Sequence, residues 1–401
     1  MDDILDFGHV ILFVAGALSL AIVVRVAAAR IGLPTAALLL VVAATATDLS
    51  GWLAGLLTFQ DVQRVATLAL IAILFDGGMS IGLAKFRSAA VPISLLGVAG
   101  TFGTAPLVAV AAHYLLGFDW TVALLIGAAL APTDPAVTFS VLAGKEVEGR
   151  SGTILEGESG FNDPVGIALM IGMVELAITP EAGVVDVAWG FLREMGVGLA
   201  VGAIAGFVLF QIIRRVPLPD RSLYPLAVLL SAGVIYGIAA SAHGSGFLAV
   251  FVAGIVVGDA AFPTRLEVRQ FFAALADLSE LAVFVALGLT IDLSLIIAGA
   301  LWWQGLILAV LLGFVIRPLV VTPLLLPSKL SRGERMFVAW AGLKGAVPIL
   351  LASLAVTAGT DQAAEIYGIV FVVVLFSVVV QGTLVPTVAA RLGVPMVDVG
   401  R

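Results

Sequence analysis

The sequence predicts an all-α polytopic membrane protein with about 13 transmembrane helices, and composition is the first reason. The chain has 401 residues, of which 61% are apolar and 12% are charged, and its mean hydropathy is +1.17. Soluble domains carry about 25% charged residues. The second reason is that apolar stretches recur along the whole chain, each about as long as the roughly 20 residues of a membrane-spanning helix. A soluble enzyme and a nucleic-acid-binding protein are therefore excluded.

Side chains that commonly hold cofactors or resident metals are scarce. The chain has no cysteine and three histidines, which are scattered as His9, His113 and His243. Disulfides, thiolate catalysis and Cys-ligated metal clusters are excluded, and the histidines form no spaced metal site. We expect no cofactor and no nucleic-acid partner.

The predicted spans are bounded by charges, Pro or Gly. They lie near residues 8–28, 34–57, 64–83, 89–116, 120–143, 152–178, 186–213, 223–241, 245–261, 270–291, 295–326, 335–357 and 365–390. The acidic N-terminus and the long first apolar run favour a retained first helix over a cleaved secretory signal. We expect a single transmembrane transporter domain over residues 1–401, with no soluble C-terminal domain after the last span.

The positions of Lys and Arg predict the orientation, because positively charged loops stay in the cytoplasm. If the N-terminus lies outside, 16 of the 20 Lys and Arg residues fall in cytoplasmic segments and only Arg64 and Arg193 in outer ones. The remaining two, Arg317 and Lys344, lie within predicted spans. The sequence therefore predicts an outer N-terminus and a cytoplasmic C-terminus.

Two predicted spans are interrupted at matching places. The fifth breaks at residues 131–135 (APTDP) and the twelfth at residues 342–348 (GLKGAVP). Because their offset of seven spans is odd, the two segments cross the bilayer in opposite directions. This predicts two inverted six-helix repeats, about 8–178 and 223–390, joined by a linking helix at about 186–213. Paired interrupted helices indicate a midplane ion site in secondary transporters.

The sixth span carries three acids within residues 156–164 (EGESGFNDP). Carboxylates at that depth are costly and are functional by default. Ser159 and Asp163 stand four residues apart, so they project from one helical face. Hydroxyl and carboxylate oxygens suit a hard monovalent cation. A purely structural role, in which these groups only join helices, fits less well because acids are a poor choice for that purpose.

The fifth-span interruption combines two prolines with an acid. Pro132 and Pro135 each remove a backbone donor, which leaves carbonyls that could face an ion. Asp134 would sit at the positive end of the half-helix that follows, and Lys344 would answer the negative end of the opposing broken helix. Prolines that merely kink a helix would not explain the acid between them.

Arg317 is a permanently charged side chain inside an apolar run, and it needs an acidic partner there. Glu158 is the candidate. The alternative is that Arg317 extends to the cytoplasmic surface near Lys329.

Four motifs occur in order: residues 74–78 (LFDGG), 132–135 (PTDP), 158–163 (ESGFND) and 342–346 (GLKGA). Together they resemble the monovalent cation/proton antiporters, specifically the NhaP-type electroneutral branch of the sodium/proton exchangers, and the resemblance covers the whole chain. Its most specific element is the Asn162–Asp163 pair, because the electrogenic branch carries two adjacent aspartates there.

The resemblance implies roles for individual residues. Asp163 would be the shared cation and proton site, with Ser159 and Thr133 as ligands of the transported monovalent cation. Asn162 would stabilise the fifth-span crossing, and Asp76 matches a family carboxylate near the ion.

The resemblance also implies a supporting set. Glu158 and Arg317 match a buried ion pair, and Asp134 belongs to the fifth-span motif. Lys344 stands where the family usually has Arg, so the residue departs from the pattern while the charge is kept. Many relatives carry a long cytoplasmic tail, which we do not expect here.

The implied function is secondary active antiport of Na⁺, or of K⁺ or Li⁺, against H⁺, and the protein is not an enzyme. Ionised Asp163 would bind the cation and protonated Asp163 would not, so each passage carries one or the other. A neutral Asn162 predicts electroneutral exchange. Access would alternate as spans 4–6 and 11–13 move against a dimerising scaffold, in a homodimer embedded in the lipid bilayer of a prokaryotic cytoplasmic membrane.

Two other functions compete on the residues alone. Residues 157–160 (GESG) fit the G-x-S-G pattern, and with His243 in a later span they would suit an intramembrane serine protease, but that scheme leaves Asp163 and Asp134 unused. A cation channel with a midplane acidic site would also use paired broken helices. Conductance without obligatory proton movement would distinguish the channel.

Overall fold

The computed structural model describes residues 2–50, 53, 55–134, 145–147, 149–260, 262 and 264–398. The helices of this part of the chain are, in order, α1 (Asp2–Ile31), α2 (Thr35–Leu49), α3 (Phe59–Ser94), α4 (Thr101–Leu116), α5 (Trp120–Leu130), α6 (Gly149–Ile178), α7 (Val184–Arg215), α8 (Leu223–Ser241), α9 (Gly246–Gly258), α10 (Arg265–Gly288), α11 (Leu293–Ala298), α12 (Leu301–Leu311), α13 (Arg317–Leu324), α14 (Arg332–Trp340), α15 (Ala346–Ala358), α16 (Ala363–Phe376) and α17 (Thr383–Arg391). Three π-helical segments join consecutive helices at Leu95–Gly100, Leu312–Ile316 and Ser377–Gly382.

The prediction of about 13 transmembrane helices is confirmed. The described residues contain eight helices long and apolar enough to cross a membrane, together with four shorter apolar helices, α2, α5, α9 and α15. One of the eight runs for 58 residues from Phe59 to Leu116. It makes two crossings because the chain turns at Gly82, which gives nine long and four shorter apolar helices. Two of the short ones, α5 and α15, belong to the interrupted fifth and twelfth spans.

The turn between the third and fourth spans contains no loop, whereas the sequence predicted a gap between about residues 83 and 89. Gly82 has φ 63°, a conformation that costs glycine little, and the helical run is kinked at this one residue. Asp259, at the end of α9, accepts a hydrogen bond from the Ala84 N–H at 2.6 Å. A Cβ at Gly82 would lie 2.5 Å from the Asp259 carboxylate. The second half of α3 is therefore capped by another helix.

Other boundaries also shift from their predicted positions. The second span ends at Leu49 rather than near residue 57, and α3 begins with a capping box in which Thr58 and Asp61 satisfy each other's backbone N–H groups. The eleventh span is divided among α11, α12 and α13. Pro135 and the second half of the predicted fifth span lie outside the described residues.

A small strand pair accompanies the helices. Lys145–Val147 (β1) pairs antiparallel with Met396–Asp398 (β2), with Glu146 opposite Val397. Strand β1 directly precedes α6, and β2 follows α17. The pairing therefore ties these two chain segments together, and the other regular elements of the described structure are helices.

Helix α3 packs on both sides. Ile71, Phe75 and Met79 belong to an apolar cluster with residues of α7–α10. The face that carries Ala66 and Leu70 belongs to a larger cluster, which we call the crossing bundle and which also contains residues of α1, α2, α4–α6 and α9–α17. Close approach between α3 and α9 is possible because a Cβ at Gly78 would lie 2.3 Å from the Phe251 carbonyl. Helix α3 thus contributes to both apolar clusters.

We expect Asp259→Ala to lower thermal stability, because it leaves the first N–H groups of the helix after Gly82 without a cap. Loss of such a cap costs about 1 kcal/mol. Asp259→Asn is the matched control, since its amide oxygen can still accept from Ala84. The melting temperature of the purified protein should fall more for Asp259→Ala than for Asp259→Asn. Equal melting temperatures for the two variants would contradict the capping role.

Candidate ion-binding site

The interruptions of the fifth and twelfth spans meet inside the protein. Helix α5 ends at Leu130, and residues 131–134 continue without helical structure; α14 ends at Trp340 and α15 begins at Ala346. The Asp134 N–H donates to the Leu343 carbonyl at 2.8 Å, which joins the two non-helical segments. Backbone groups that a helix break leaves unpaired are therefore paired across the crossing.

Helix ends at this crossing meet opposite charges. The buried Lys344 ammonium donates to the carbonyls of Ala131 at 2.9 Å and Pro132 at 2.7 Å, at the negative end of α5. Asp134 Oδ2 accepts from the Ala346 N–H at 3.2 Å, at the positive end of α15. Charges of these signs stabilise helix ends. A Cβ at Gly345 would lie 2.0 Å from Asp134 Oδ2, so glycine is needed for this approach.

One detail of the geometry adds to what the sequence suggested, and one differs from it. The Asp134 carboxylate caps the opposing helix α15; the half-helix that it was expected to precede falls in residues 135–144, outside the described part, so that expectation stays a prediction. The twelfth-span break was expected to extend to Pro348, but it ends at Gly345. Pro348 lies in the first turn of α15, where its missing N–H breaks no helical bond.

Three polar side chains join the fifth-span break to α6. Thr133 Oγ1 lies 3.0 Å from Ser159 Oγ and accepts from Asn162 Nδ2 at 2.8 Å. The Thr133 N–H also donates to Asn162 Oδ1 at 3.4 Å. All three residues are buried. The structure thus brings Thr133, Ser159 and Asn162 together, as the sequence suggested.

Asp163 lies one turn beyond Ser159 on α6 and is only 4% exposed. Its Oδ1 is fully buried and has no hydrogen-bond partner within the described part of the chain. The charges of Asp134 and Lys344 act on it from the crossing. A buried carboxylate oxygen without a donor is the kind of atom that binds a proton or a cation. A cluster of three or more His, Cys, Asp or Glu side chains suited to a resident metal is absent from the described residues.

Asp76 is not joined to this group by any hydrogen bond or ion pair that the described residues form. It is partly buried on α3, and the charges acting on it most strongly are Arg269 and Asp277 of α10. Arg269 itself donates to the Met79 carbonyl at 3.1 Å. The charges that act on Asp76 therefore come from α10, and its role near the ion stays a prediction.

Glu158 and Arg317 form a buried ion pair. Arg317 Nη2 lies 2.9 Å from Glu158 Oε1, and the two side chains are 4% and 2% exposed for Arg317 and Glu158. The same nitrogen contacts the Val338 carbonyl at 3.4 Å, near the negative end of α14. A Cβ at Gly342 would overlap the guanidinium. Arg317 does not extend to the surface.

The sequence did not predict every group that holds the charged side chains of the crossing. Ser377 Oγ accepts from the Lys344 N–H at 2.9 Å, and the Val338 carbonyl receives Arg317. A lone serine in an apolar span was the only sequence signal for Ser377. Glycines 342 and 345 were visible in the motif, but the side chains that fill their space come from distant segments.

The structure separates the residues that a serine protease would need. His243 was expected within a span. It lies instead in the turn after α8, where it is exposed and has φ 57°. The Ser159 hydroxyl is engaged with Thr133. A Ser–His pair is not formed by these two residues.

A double-mutant cycle should detect the buried pair. Removing one partner leaves an uncompensated charge and typically costs about 3 to 5 kcal/mol, whereas removing both costs less. Glu158→Gln and Arg317→Gln should each lower the melting temperature more than the double variant does.

The control for this cycle is Arg25 with Asp277, an ion pair at 3.1 Å with side chains 44% and 54% exposed. Its coupling should stay at about 1 kcal/mol or less. Strictly additive losses for Glu158 and Arg317 would show that the two charges do not depend on each other.

Comparisons with known proteins identify the family of this chain. Residues 11–391 match the family model described as sodium/hydrogen exchanger, transmembrane. The K(+)/H(+) antiporter NhaP of Alkalimonas amylolytica is 34% identical over 375 residues, which are 92% of this chain and 64% of that protein. The Na(+)/H(+) antiporter NhaH of Halobacillus aidingensis is 31% identical over 84% of this chain and 85% of that protein. The chain thus spans somewhat less than two thirds of the first of these relatives.

The fold is also that of a solved structure. The sodium proton antiporter MjNhaP1 from Methanocaldococcus jannaschii at pH 8 superposes with a TM-score of 0.80 at 23% sequence identity, over 98% of this chain and 99% of that one. This likeness establishes the fold, and the family model covers nearly the whole chain. The protein belongs to the sodium/hydrogen exchanger family.

Proposed function

We propose that the protein is a secondary antiporter that exchanges a monovalent cation for a proton at Asp163. The observation that carries this proposal is the buried Asp163 Oδ1, which lies one turn from Ser159 and receives no hydrogen bond from the residues that the structure describes. Ser159 and Thr133 supply neutral oxygens, which suit a monovalent cation that sheds its water. Family membership supports the same chemistry.

Exchange follows from competition for a single carboxylate. The ionised form of Asp163 binds the cation, and the protonated form cannot, so each passage across the membrane carries one or the other. Asn162 is occupied in holding Thr133 and has no charge to contribute. Asp76 would act as a further carboxylate along the cation route on the α3 side. Coupling needs no second site and no chemical step, and the protein catalyses no reaction.

The identity of the cation is part of the proposal. Six similar proteins are named as K(+)/H(+) antiporters and one as a Na(+)/H(+) antiporter. Carboxylate and hydroxyl oxygens can bind Na⁺, Li⁺ or K⁺. We place Na⁺ first because the Na(+)/H(+) antiporter NhaH matches this chain over 85% of its own length, against 64% for the K(+)/H(+) antiporter NhaP.

We also propose the arrangement in the membrane. The protein is multi-pass, and the distribution of Lys and Arg supports an outer N-terminus and a cytoplasmic C-terminus. The repeats would cover about residues 8–178 and 223–390 within one transmembrane domain, with residues 186–213 as the link. A homodimer through the scaffold helices follows the family resemblance.

The decisive variant is Asp163→Asn, which keeps size and removes the charge. In proteoliposomes with an internal pH dye, imposed gradients of Na⁺, Li⁺ or K⁺ should each be tested for proton movement. We expect exchange with the unmodified protein and its loss, to background, in Asp163→Asn. Asp220→Asn, an exposed acid in the loop after α7, is the matched control and should keep full activity. Substantial exchange by Asp163→Asn would contradict the proposal.

Neutral Asn162 beside a single carboxylate leads us to expect one cation exchanged for one proton. No net charge then crosses per cycle, so a membrane potential, which acts at about 2.3 kcal/mol per charge per 100 mV, should not change the rate. The potential would be imposed with an ionophore for an ion that the protein does not carry and checked with a voltage-sensitive dye. A rate that changes severalfold with potential at fixed ion gradients would refute electroneutrality.

A further inference from the structure

One glutamine near the start of α3 joins this helix to α15. Gln63 Nε2 donates to Ser353 Oγ and to Thr357 Oγ1, each at 3.1 Å. Ser353 and Thr357 are four residues apart on α15, so their hydroxyls lie on one helical face. An amide nitrogen has two N–H donors, and here each has an acceptor on the same facing helix.

A second contact reinforces this junction at the same membrane face. The buried Tyr367 of α16 shares a hydrogen bond with Thr290, just after α10, at 2.6 Å between the two hydroxyls. Its ring meets Phe59 edge-on, with centroids 5.1 Å apart. Phe59 and Gln63 are one turn apart, so both use the same face of α3. The contacts thus join α3 and α10 to α15 and α16.

A cavity of about 910 Å³ lies beside this junction. Its walls come from α3, α6 and α15, and they include Gln60, Gln63, Ile171 and Thr357. On α6, Ile171 is eight residues beyond Asp163, which is about 12 Å along a helix. The cavity therefore reaches toward the helix that carries the buried carboxylate, and Gln63 and Thr357 lie in its wall.

We propose that Gln63 is a latch that holds α3 and α15 together beside this cavity, and that the cavity is the entrance by which hydrated monovalent cations reach Asp163 from this membrane face when the latch opens. The proposal rests on the proposed function for the identity of the passing ion. The Gln63 bonds join α3 to α15, so they break when these two helices separate. A neutral hydrogen bond is worth roughly a fivefold change in an equilibrium constant, and removing two shifts the population toward the separated state.

The 401-residue chain has no cysteine, so a single introduced thiol can report on the opening of the latch by its rate of labelling. Leu70→Cys introduces the chain's sole thiol, seven residues or two turns beyond Gln63, at a position that is 5% exposed and packs against the crossing bundle. The rate of its reaction with a membrane-impermeant maleimide is measured in intact cells and in inverted membrane vesicles. Gln63→Leu removes both hydrogen bonds at similar volume. We expect it to raise the labelling rate about fivefold or more in intact cells.

Gln60→Leu is the matched control, because Gln60 lines the same cavity, is exposed and makes no hydrogen bond to the part of the chain that the structure describes. It should leave the labelling rate unchanged. Ser353→Ala with Thr357→Val should reproduce the Gln63→Leu effect and add nothing when combined with it. This second variant also carries the test alone if Gln63→Leu fails to insert.

Background labelling in Gln63→Leu and in the Ser353→Ala, Thr357→Val variant would overturn the latch. A rise confined to inverted vesicles would support the latch and reverse the proposed orientation. Labelling requires no ion exchange, so loss of the proposed function in the proteoliposome assay would leave the latch standing, and a failed latch would leave exchange at Asp163 intact.

Discussion

The crossing of two interrupted helices is the constraint on which the rest of the structure depends. Ending helices inside an apolar interior exposes unpaired backbone groups and partial charges where no water can satisfy them. The protein meets each end with an opposite charge from elsewhere: Lys344 at α5, Arg317 at α14 and Asp134 at α15. Glu158 then balances Arg317. Four of the buried charges are therefore explained by the break itself.

Asp163 differs from the other buried polar groups of the site. Asn162, Ser159 and Thr133 satisfy one another, and the structural charges have partners, but one oxygen of Asp163 has none within the described residues. An ion carrier needs such an unsaturated group on a rigid support, because the group must exchange its ligand while its surroundings keep their shape. The fixed charges around the crossing supply the rigidity, and α6 supplies both the fixed and the exchangeable groups within one turn.

Much of this was predictable because intramembrane charge and helix breakers are rare and therefore informative. The span count and the two interruptions followed from residues adjacent in sequence, and the nearness of Thr133 to α6 followed from the family resemblance. What could not be predicted depended on contacts between distant segments. Asp134 caps the opposing helix α15, Asp259 caps a helix that begins beyond Gly82, and Gln63 carries no pattern that distinguishes it from Gln60. Helix periodicity also fails at Gly82, where one glycine with positive φ replaces a whole predicted loop.

The central claim, that cation and proton compete for the Asp163 carboxylate, is tested most directly by cation binding to the purified protein as a function of pH. If a proton must leave before the cation enters, the apparent dissociation constant rises about tenfold for each pH unit on the acid side of the titration, and one proton is released per cation bound. Isothermal titration calorimetry in two buffers of different ionisation enthalpy gives both quantities. An affinity independent of pH, with no proton release, would contradict competition at a single carboxylate.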